Sequence, residues 1–136
     1  FIARDSILGF RLGSGIALGC GPTDATLLLP QHVEDLDQYI IIDISIGDAY
    51  CLALTLDCEV FAWGANVMGQ CGQGNFNSPV RKPMKVINLE GIPIHQISAG
   101  TSHSIVWTAV PSNRFVGRCF IGYNCSSFPD IVSKLY

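Results

Sequence analysis

The chain has 136 residues, a formal net charge of −3 and 14% charged residues, against roughly 25% in ordinary soluble domains. The net negative charge argues against a nucleic-acid-binding face, and no apolar run approaches the roughly 20 residues that a membrane-spanning helix needs. Low charge with 49% apolar residues therefore favours a piece of a larger β structure whose surfaces are covered by neighbouring units. We expect the chain to be a fragment cut from the interior of a longer one.

A residue pattern recurs after 53 positions, because 72 − 19 = 53 and 108 − 55 = 53. Ten residues and their repeats are identical without any gap: Gly19, Gly21, Pro30, Val33, Leu36, Ile41, Ile44, Ser45, Gly47 and Thr55 match Gly72, Gly74, Pro83, Val86, Leu89, Ile94, Ile97, Ser98, Gly100 and Thr108. Such a period is typical of solenoids, propellers and arrays. We predict that residues 1–18 end a preceding repeat, 19–71 form one unit, 72–108 begin the next, and 109–136 are a degenerate last repeat or an exit segment.

The first glycine-rich stretch, residues 13–19, follows the apolar residues 7–10 and could be a dinucleotide-binding turn. Such a turn must open a helix whose N-terminus holds the pyrophosphate. Here Gly19, Gly21 and Pro22 would end that helix after one turn, and the repeat places the glycines in a loop. We therefore predict no cofactor at this turn.

Three strands and a glycine-rich loop follow in residues 41–74. Residues 41–46 alternate apolar and polar side chains, 51–55 form a second apolar strand, 56–59 are a tight hairpin and 60–63 a third strand. A polar loop over residues 75–82 leads to Pro83, and residues 94–99 and 104–108 restart the cycle. Short antiparallel strands with no helix-period stretch before residue 110 predict an all-β fold, a partial β-propeller of about two blades in an incomplete ring.

The glycine-rich signature resembles the regulator of chromosome condensation repeat, which reads Gly-x-x-His, Ala-Leu, a turn, then Trp-Gly-x-Asn-x-x-Gly-Gln-Leu-Gly-x-Gly. The residues on that pattern are Gly47, Ala53, Leu54, Trp63, Gly64, Asn66, Gly69, Gln70, Gly72 and Gly74, and Gly100 with His103 begin the next copy. The departures are Tyr50 for the family's His, Cys58 for its turn Gly and Cys71 for its Leu. The resemblance covers roughly residues 6–108, and it implies that the listed residues are a structural signature rather than a catalytic, cofactor-binding or metal-binding site.

Within that family, residues 69–74 and 97–114 most resemble the propellers of HERC-type ubiquitin ligases, which join such domains to a HECT catalytic domain. The resemblance implies a non-catalytic module that presents loops to a protein partner, with no part of the HECT domain in this chain. The alternative it allows is nucleotide exchange on a small GTPase, the activity of the family's founding member. We favour the interaction module because no insertion interrupts residues 47–108, and we expect a trafficking protein or small GTPase as possible partners.

The cysteines and histidines give no zinc or disulfide pattern. Cys20, Cys51, Cys58, Cys71, Cys119 and Cys125 contain no C-x-x-C pair, and the three histidines are not spaced with them as ligands. We predict buried free thiols in a reducing compartment, the cytoplasm, and the first ten residues lack the plan of a secretory signal. His103 has no partner set for catalysis, so the resemblance makes it structural, and Trp63 and Trp107 are interpreted as inter-blade packing.

The last two features of the sequence are a basic cluster and the C-terminal tail. The cluster consists of Arg81, Lys82 and Lys85, and it is interpreted as solvated surface. In the tail, the 53-residue register would place Gly64 and Gly69 on Gly117 and Gly122, and Ser127 could cap a short helix with Asp130 as its third residue.

Overall fold

The computed structural model describes residues 2–3, 6–11, 19, 27–108 and 119–121, and these residues form antiparallel strands in three sheets. The strands are β1 (Ile2–Ala3), β2 (Ser6–Arg11), β3 (Leu27–His32), β4 (Ile41–Ile46), β5 (Tyr50–Thr55), β6 (Val60–Gly64), β7 (Val80–Lys85), β8 (Gln96–Ala99), β9 (His103–Trp107) and β10 (Cys119–Ile121). The described segments contain no α-helix, only two single-turn 3-10 helices at Glu34–Leu36 and Ile87–Leu89. The all-β prediction is confirmed.

The middle sheet is one complete four-stranded blade. Its order is β4-β5-β6-β7, and every neighbouring pair is antiparallel. The sheets on either side have the orders β1-β2-β3 and β10-β9-β8. This up-and-down succession of small sheets is the architecture of a β-propeller, and it agrees with the predicted partial ring.

The 53-residue offset recurs in the bounds of the elements. Adding 53 to the bounds of Leu27–His32 gives Val80–Lys85. The strand β3 is therefore the equivalent of β7 in the preceding sheet, and each is the outer strand of its sheet. The same offset relates the two 3-10 helices. The middle sheet spans residues 41–85. It therefore takes three strands from the sequence unit 19–71 and its fourth strand from the unit 72–108.

The sequence interpretation missed the fourth strand. Residues 75–82 were expected to be a polar loop, but the strand β7 begins at Val80 and pairs with β6. Its outer edge has no neighbour among the described strands. An edge strand tolerates the prolyl nitrogen of Pro83, which cannot donate a hydrogen bond, and charged side chains such as Lys82. The polar composition therefore concealed a strand.

The two central strands of the middle blade are covered on both faces, so all residues of β5 and β6 are buried, whereas β4 and β7 keep exposed side chains. Alternate residues of β5 point to opposite sides. Tyr50, Leu52 and Leu54 pack in a cluster with residues of β8 and β9, whose other members are Val60, Ala62, Cys71, Val86, Leu89, Ile94, Ile97 and Val106. On the other side, Cys51 and Ala53 pack with Val33, Leu36, Ile41, Phe61 and Trp63. A sheet enclosed in this way holds its loops on a rigid base.

The last described strand departs from the 53-residue register. Tyr50 pairs with Gly64 in the middle blade, whereas its counterpart His103 pairs with Ile121. The offset at this strand is therefore 121 − 64 = 57, four residues more than the predicted one. The predicted match of Gly64 with Gly117 does not agree with this pairing. Residues 109–118 and 122–136, with Gly122, Cys125 and the proposed cap at Ser127, lie outside the described residues, as do Gly13 to Leu18 and Gly21.

Candidate protein-interaction site

The connections between strands gather at two opposite ends of the blades, because neighbouring strands run antiparallel. One end, named the glycine-loop face, consists of residues 47–49, 65–79 and 100–102. The other, named the hairpin face, consists of residues 33–40, 56–59 and 86–95. Loops at the ends of a rigid scaffold are where binding functions concentrate, so both faces are candidate sites.

On the glycine-loop face, two equivalent tight turns each place an aromatic ring over a glycine. Gly47 donates its N–H to the carbonyl oxygen of Tyr50 at 2.9 Å, and Gly100 donates to that of His103 at 2.8 Å. A Cβ at Gly47 would lie 2.1 Å from the Tyr50 ring, and one at Gly100 would lie 2.2 Å from the His103 ring. Both glycines are therefore required by close approach, and the structure assigns Tyr50 the place that His103 takes one repeat later.

Tyr50 also joins two blades through its hydroxyl group. The Tyr50 hydroxyl donates to the carbonyl oxygen of His103. The single proton of the Ser104 hydroxyl has two acceptors within reach, the Tyr50 hydroxyl oxygen at 3.1 Å and the carbonyl oxygen of Gln70 at 2.6 Å. Burial raises the pKa of Tyr50, although the hydrogen bond with Ser104 opposes that shift. These contacts are structural, and they place the backbone of His103 in the hydrogen bonding between blades.

Asn66 organises the long loop of the glycine-loop face. Its Nδ2 donates to the carbonyl oxygens of Asn75 at 2.9 Å and Asn77 at 3.1 Å, and its Oδ1 accepts from the N–H of Cys71 at 3.0 Å. The Asn66 N–H donates to Ser78 Oγ at 2.9 Å. A buried polar side chain satisfied in this way fixes the surrounding backbone. The signature asparagine therefore holds the loop in one conformation.

The remaining signature residues lie around that loop. Gln70 Oε1 accepts from the N–H of Met68 at 2.9 Å. Trp63 is buried beside Gly19, where a Cβ would lie 2.8 Å from the indole Nε1. Because residue 19 precedes the blade that contains Trp63, this indole packs between successive units. Gly64, Gly69, Gly72 and Gly74 all have positive φ angles, between 64° and 109°.

The ordered loop exposes three large apolar side chains. Val67 is 60% exposed, Met68 48% and Phe76 57%. Gln70 Oε1 holds the N–H of Met68, and Asn66 holds the carbonyl groups of Asn75 and Asn77 on either side of Phe76, so little backbone entropy is lost when a partner covers these side chains. The glycine-loop face is thus uncharged except for Asp48 and carries exposed apolar groups.

The hairpin face has the opposite character. Its three segments hold six of the chain's 11 acidic residues and no Lys or Arg: Glu34, Asp35, Asp37, Asp57, Glu59 and Glu90. Carboxylates of the hairpin face pair with two lysines of the predicted basic cluster. Lys82 Nζ lies 3.3 Å from Asp35, and Lys85 Nζ lies 2.6 Å from Glu59. Sequence reasoning missed this acidic end because the carboxylates come from three separate connections.

The three cysteines with described side chains are free thiols. Cys51 and Cys71 are buried, and Cys58 is half-buried in the β5–β6 hairpin. Burial raises the pKa of Cys71 to about 12, and the neighbouring Cys51 adds to the shift. Among the residues with described side chains, no cluster of three His, Cys, Asp or Glu side chains could hold a metal ion. The described part of the chain also contains no helix that is long and apolar enough to cross a membrane.

Comparison with known families agrees with the geometry of these loops. The profile of the "Regulator of chromosome condensation (RCC1) repeat" matches residues 57–107, and a second profile of the same description matches residues 41–70. Residues 41–107 are regulator of chromosome condensation repeats. The predicted resemblance is confirmed over this region, which includes the turn of Tyr50 and the loop of Asn66.

The RCC1 repeats of this chain are similar to those of HERC-family ligases. The chain is 42% identical over 102 residues to human E3 ubiquitin-protein ligase HERC2, which is 74% of this chain and 2% of that protein. It is 39% identical over 82 residues to human probable E3 ubiquitin-protein ligase HERC3, 60% of this chain and 8% of that protein. The chain thus corresponds to a small part of each relative.

Solved structures support the fold of these RCC1 repeats. Human WBSCR16 has a TM-score of 0.69 at 18% identity, and Prp20p of Saccharomyces cerevisiae has 0.62 at 24% identity. Each comparison covers 78% of this chain and 27% of the other. The Prp20p structure is described with its binding properties to Gsp1p and histones. At these identities the likeness concerns the fold.

Proposed function

We propose that this chain is a non-catalytic protein-interaction module within a HERC-type E3 ubiquitin ligase that acts in the cytoplasm. The observation that carries the proposal is the exposure of Met68 and Phe76 on a loop that the Asn66 hydrogen bonds hold in place. Preorganised apolar side chains at the end of a blade suit the recognition of another protein. The similarity to HERC2 and HERC3 supports the ligase context.

In this proposal the RCC1 repeats recruit and the ligase's catalytic domain transfers ubiquitin. Catalysis by a HECT domain needs a reactive cysteine, and reactive cysteines are accessible thiols of lowered pKa. Cys71 is buried with a raised pKa, so its environment opposes that chemistry. We assign no catalytic residue to the chain.

Partner capture from cells tests the proposal. Full-length protein with Met68→Gln and Phe76→Gln is compared with Leu29→Gln and Met84→Gln, which remove exposed apolar side chains from the outer strands β3 and β7. We expect the first pair to lose at least one cross-linked partner identified by mass spectrometry and the second pair to retain it. Identical partner sets for both pairs and the wild type would contradict the proposal, as would exclusion of the protein from the cytoplasm on cell fractionation.

Nucleotide exchange on a small GTPase partner is the competing function. The loops between residues 47 and 108 are compact, and the side chains of Asn66 and Gln70 are occupied in hydrogen bonds within the loop. An exchange assay on the full-length protein with a panel of small GTPases separates the two functions. We expect no acceleration of nucleotide release over the uncatalysed rate.

A further inference from the structure

A cleft of about 290 Å³ opens on the hairpin face between the β5–β6 hairpin and the connection that leads from β7 to β8. Its floor is apolar and consists of the buried residues Val60, Val86 and Leu89 with the half-buried Ile92. Its rim carries the carboxylates of Asp57, Glu59 and Glu90, together with Lys85. The cleft thus combines an aliphatic floor with an acidic rim.

The carboxylates of the rim differ in how far they are neutralised within the chain. Lys85 Nζ lies 2.6 Å from Glu59 Oε1, and this hydrogen bond raises the pKa of Lys85. Glu90 is 3.7 Å from the same ammonium group, and its side chain is 69% exposed. Asp57 is exposed at the tip of the hairpin. One lysine therefore stands among three carboxylates, and Asp57 and Glu90 are open to an incoming cation.

Further carboxylates lie on the same face as the cleft. The hairpin face also carries Glu34, Asp35 and Asp37 from the connection before β4. Lys82 Nζ lies 3.3 Å from Asp35 and His32 Nε2 lies 2.9 Å from Asp37, so these two carboxylates add less to the negative potential than Glu34 does. Like charges gathered at one end of a molecule raise the local concentration of oppositely charged partners and favour their approach. The glycine-loop face, which has one carboxylate, offers no such attraction.

We propose that this cleft binds a basic segment of a partner protein, in which a Lys or Arg lies close to an aliphatic residue. The aliphatic side chain would contact Leu89 and Ile92, and the cation would pair with Glu90 and Asp57. This inference rests on the proposed interaction function and assigns it a second surface with a defined ligand chemistry. The cleft shares no residue with the glycine-loop face, so failure of the cleft can be distinguished from failure of the proposed function.

A peptide array tests the specificity of the cleft in the full-length protein. Nine-residue peptides with Lys or Arg at the centre and all residue types at the flanking positions are compared with an array that has Asp or Glu at the centre. We expect the captured peptides to have basic centres with an aliphatic residue within two positions. Capture of acidic peptides, or no enrichment of basic ones, overturns the proposal.

Titration of the strongest basic peptide by fluorescence anisotropy locates its site. Replacement of Asp57→Asn together with Glu90→Gln should weaken binding about five- to tenfold, since rim charge pairs contribute on the order of 1 kcal/mol. The matched pair Asp43→Asn and Asp48→Asn removes the same charge far from the cleft and should change binding less than about twofold. Equal weakening by both pairs overturns the proposal. Light scattering provides a second test. The proposal is also overturned if the protein is a dimer that only the Asp57→Asn and Glu90→Gln pair dissociates, because the face would then bind a second copy of the chain.

Discussion

The hydroxyl of Tyr50 donates a hydrogen bond to the carbonyl oxygen of His103, the residue that occupies the same position one repeat later. Two equivalent turns of neighbouring blades are therefore linked through one side chain. A second link lies beside it, because the Ala99 N–H donates to Ser45 Oγ at 2.8 Å. These two hydrogen bonds hold the neighbouring blades in register. The loops at the ends of the blades keep their relative positions as a consequence.

Removal of the Tyr50 hydroxyl tests this link. We expect Tyr50→Phe to lower the free energy of unfolding of the full-length protein's propeller by about 0.5–1.5 kcal/mol, because a hydrogen bond between blades is lost. The loss is no larger because the His103 carbonyl keeps the Gly100 N–H and Ser104 keeps the carbonyl oxygen of Gln70. Tyr39→Phe is the control, since its half-buried ring keeps the contact with Phe61. Urea denaturation gives both values, and a loss of equal size in the two variants contradicts the interpretation.

Alkaline pH should destabilise the protein through Cys71. Burial raises the pKa of its thiol to about 12 in the folded chain, against 9.0 for an unperturbed thiol. The folded state therefore retains a proton that the unfolded state releases, so this stabilisation is complete below pH 9 and is lost as the pH rises toward 12. The expected slope is about 1.4 kcal/mol per pH unit at its steepest. Denaturation from pH 8.5 to 11 should show a shallower slope in Cys71→Ala, and equal slopes contradict the prediction.

Conversion of Asn66 to Asp should loosen the signature loop. The carboxylate cannot donate to the carbonyl oxygens of Asn75 and Asn77, and unsatisfied buried groups cost about 1–3 kcal/mol each. We expect hydrogen exchange of residues 66–78 to accelerate by at least about tenfold. Gln38→Glu introduces the same charge at an exposed position of the hairpin face, at the opposite end of the blades, and should leave that exchange unchanged. Unaltered protection in Asn66→Asp contradicts the assigned role of this side chain.

The hairpin at Cys58 provides a test of backbone conformation. Cys58 has φ +63°, where the repeat family usually has Gly, and its N–H donates to the carbonyl oxygen of Thr55 at 3.0 Å. A left-handed conformation costs a non-glycine residue about 1–2 kcal/mol, partly offset by the entropy of Gly in the unfolded chain. Cys58→Gly should therefore be neutral to about 1 kcal/mol stabilising, and Cys58→Val destabilising. The reverse order of thermal midpoints contradicts this assignment.

The sequence predicted the strands that are densest in apolar residues. The strands near residues 41–46, 51–55 and 60–63 were found within one residue. All residues of β5 and β6 are buried, whereas Ile42 and Ile46 of β4 are 50% and 66% exposed, so the alternation located β4 without identifying its buried face. The outer strand β7 escaped because one of its edges is unpaired and accepts polar residues. The same reasoning applies to β3, which contains Pro30 in the position of Pro83.

The candidate site was less predictable. The signature around Asn66 could be read directly, since its residues are close in sequence. The acidic hairpin face could not, because Asp35, Asp57 and Glu90 come together only when the strands are paired. The one available signal was the charge of alternate strand connections, because residues 33–40, 56–59 and 86–95 contain acidic residues and no Lys or Arg.

Chemical denaturation of the isolated 136-residue chain tests the central claim, that these residues are blades of a larger ring. The central strands of the middle blade are enclosed on both faces, whereas a terminal blade without neighbours exposes apolar surface and unpaired edges. At least three repeats are usually needed for a stable array. The account predicts that the isolated chain is poorly soluble or only partly folded, while the same residues unfold cooperatively in the full-length protein. A sharp two-state transition from a soluble monomer of the isolated chain would contradict it.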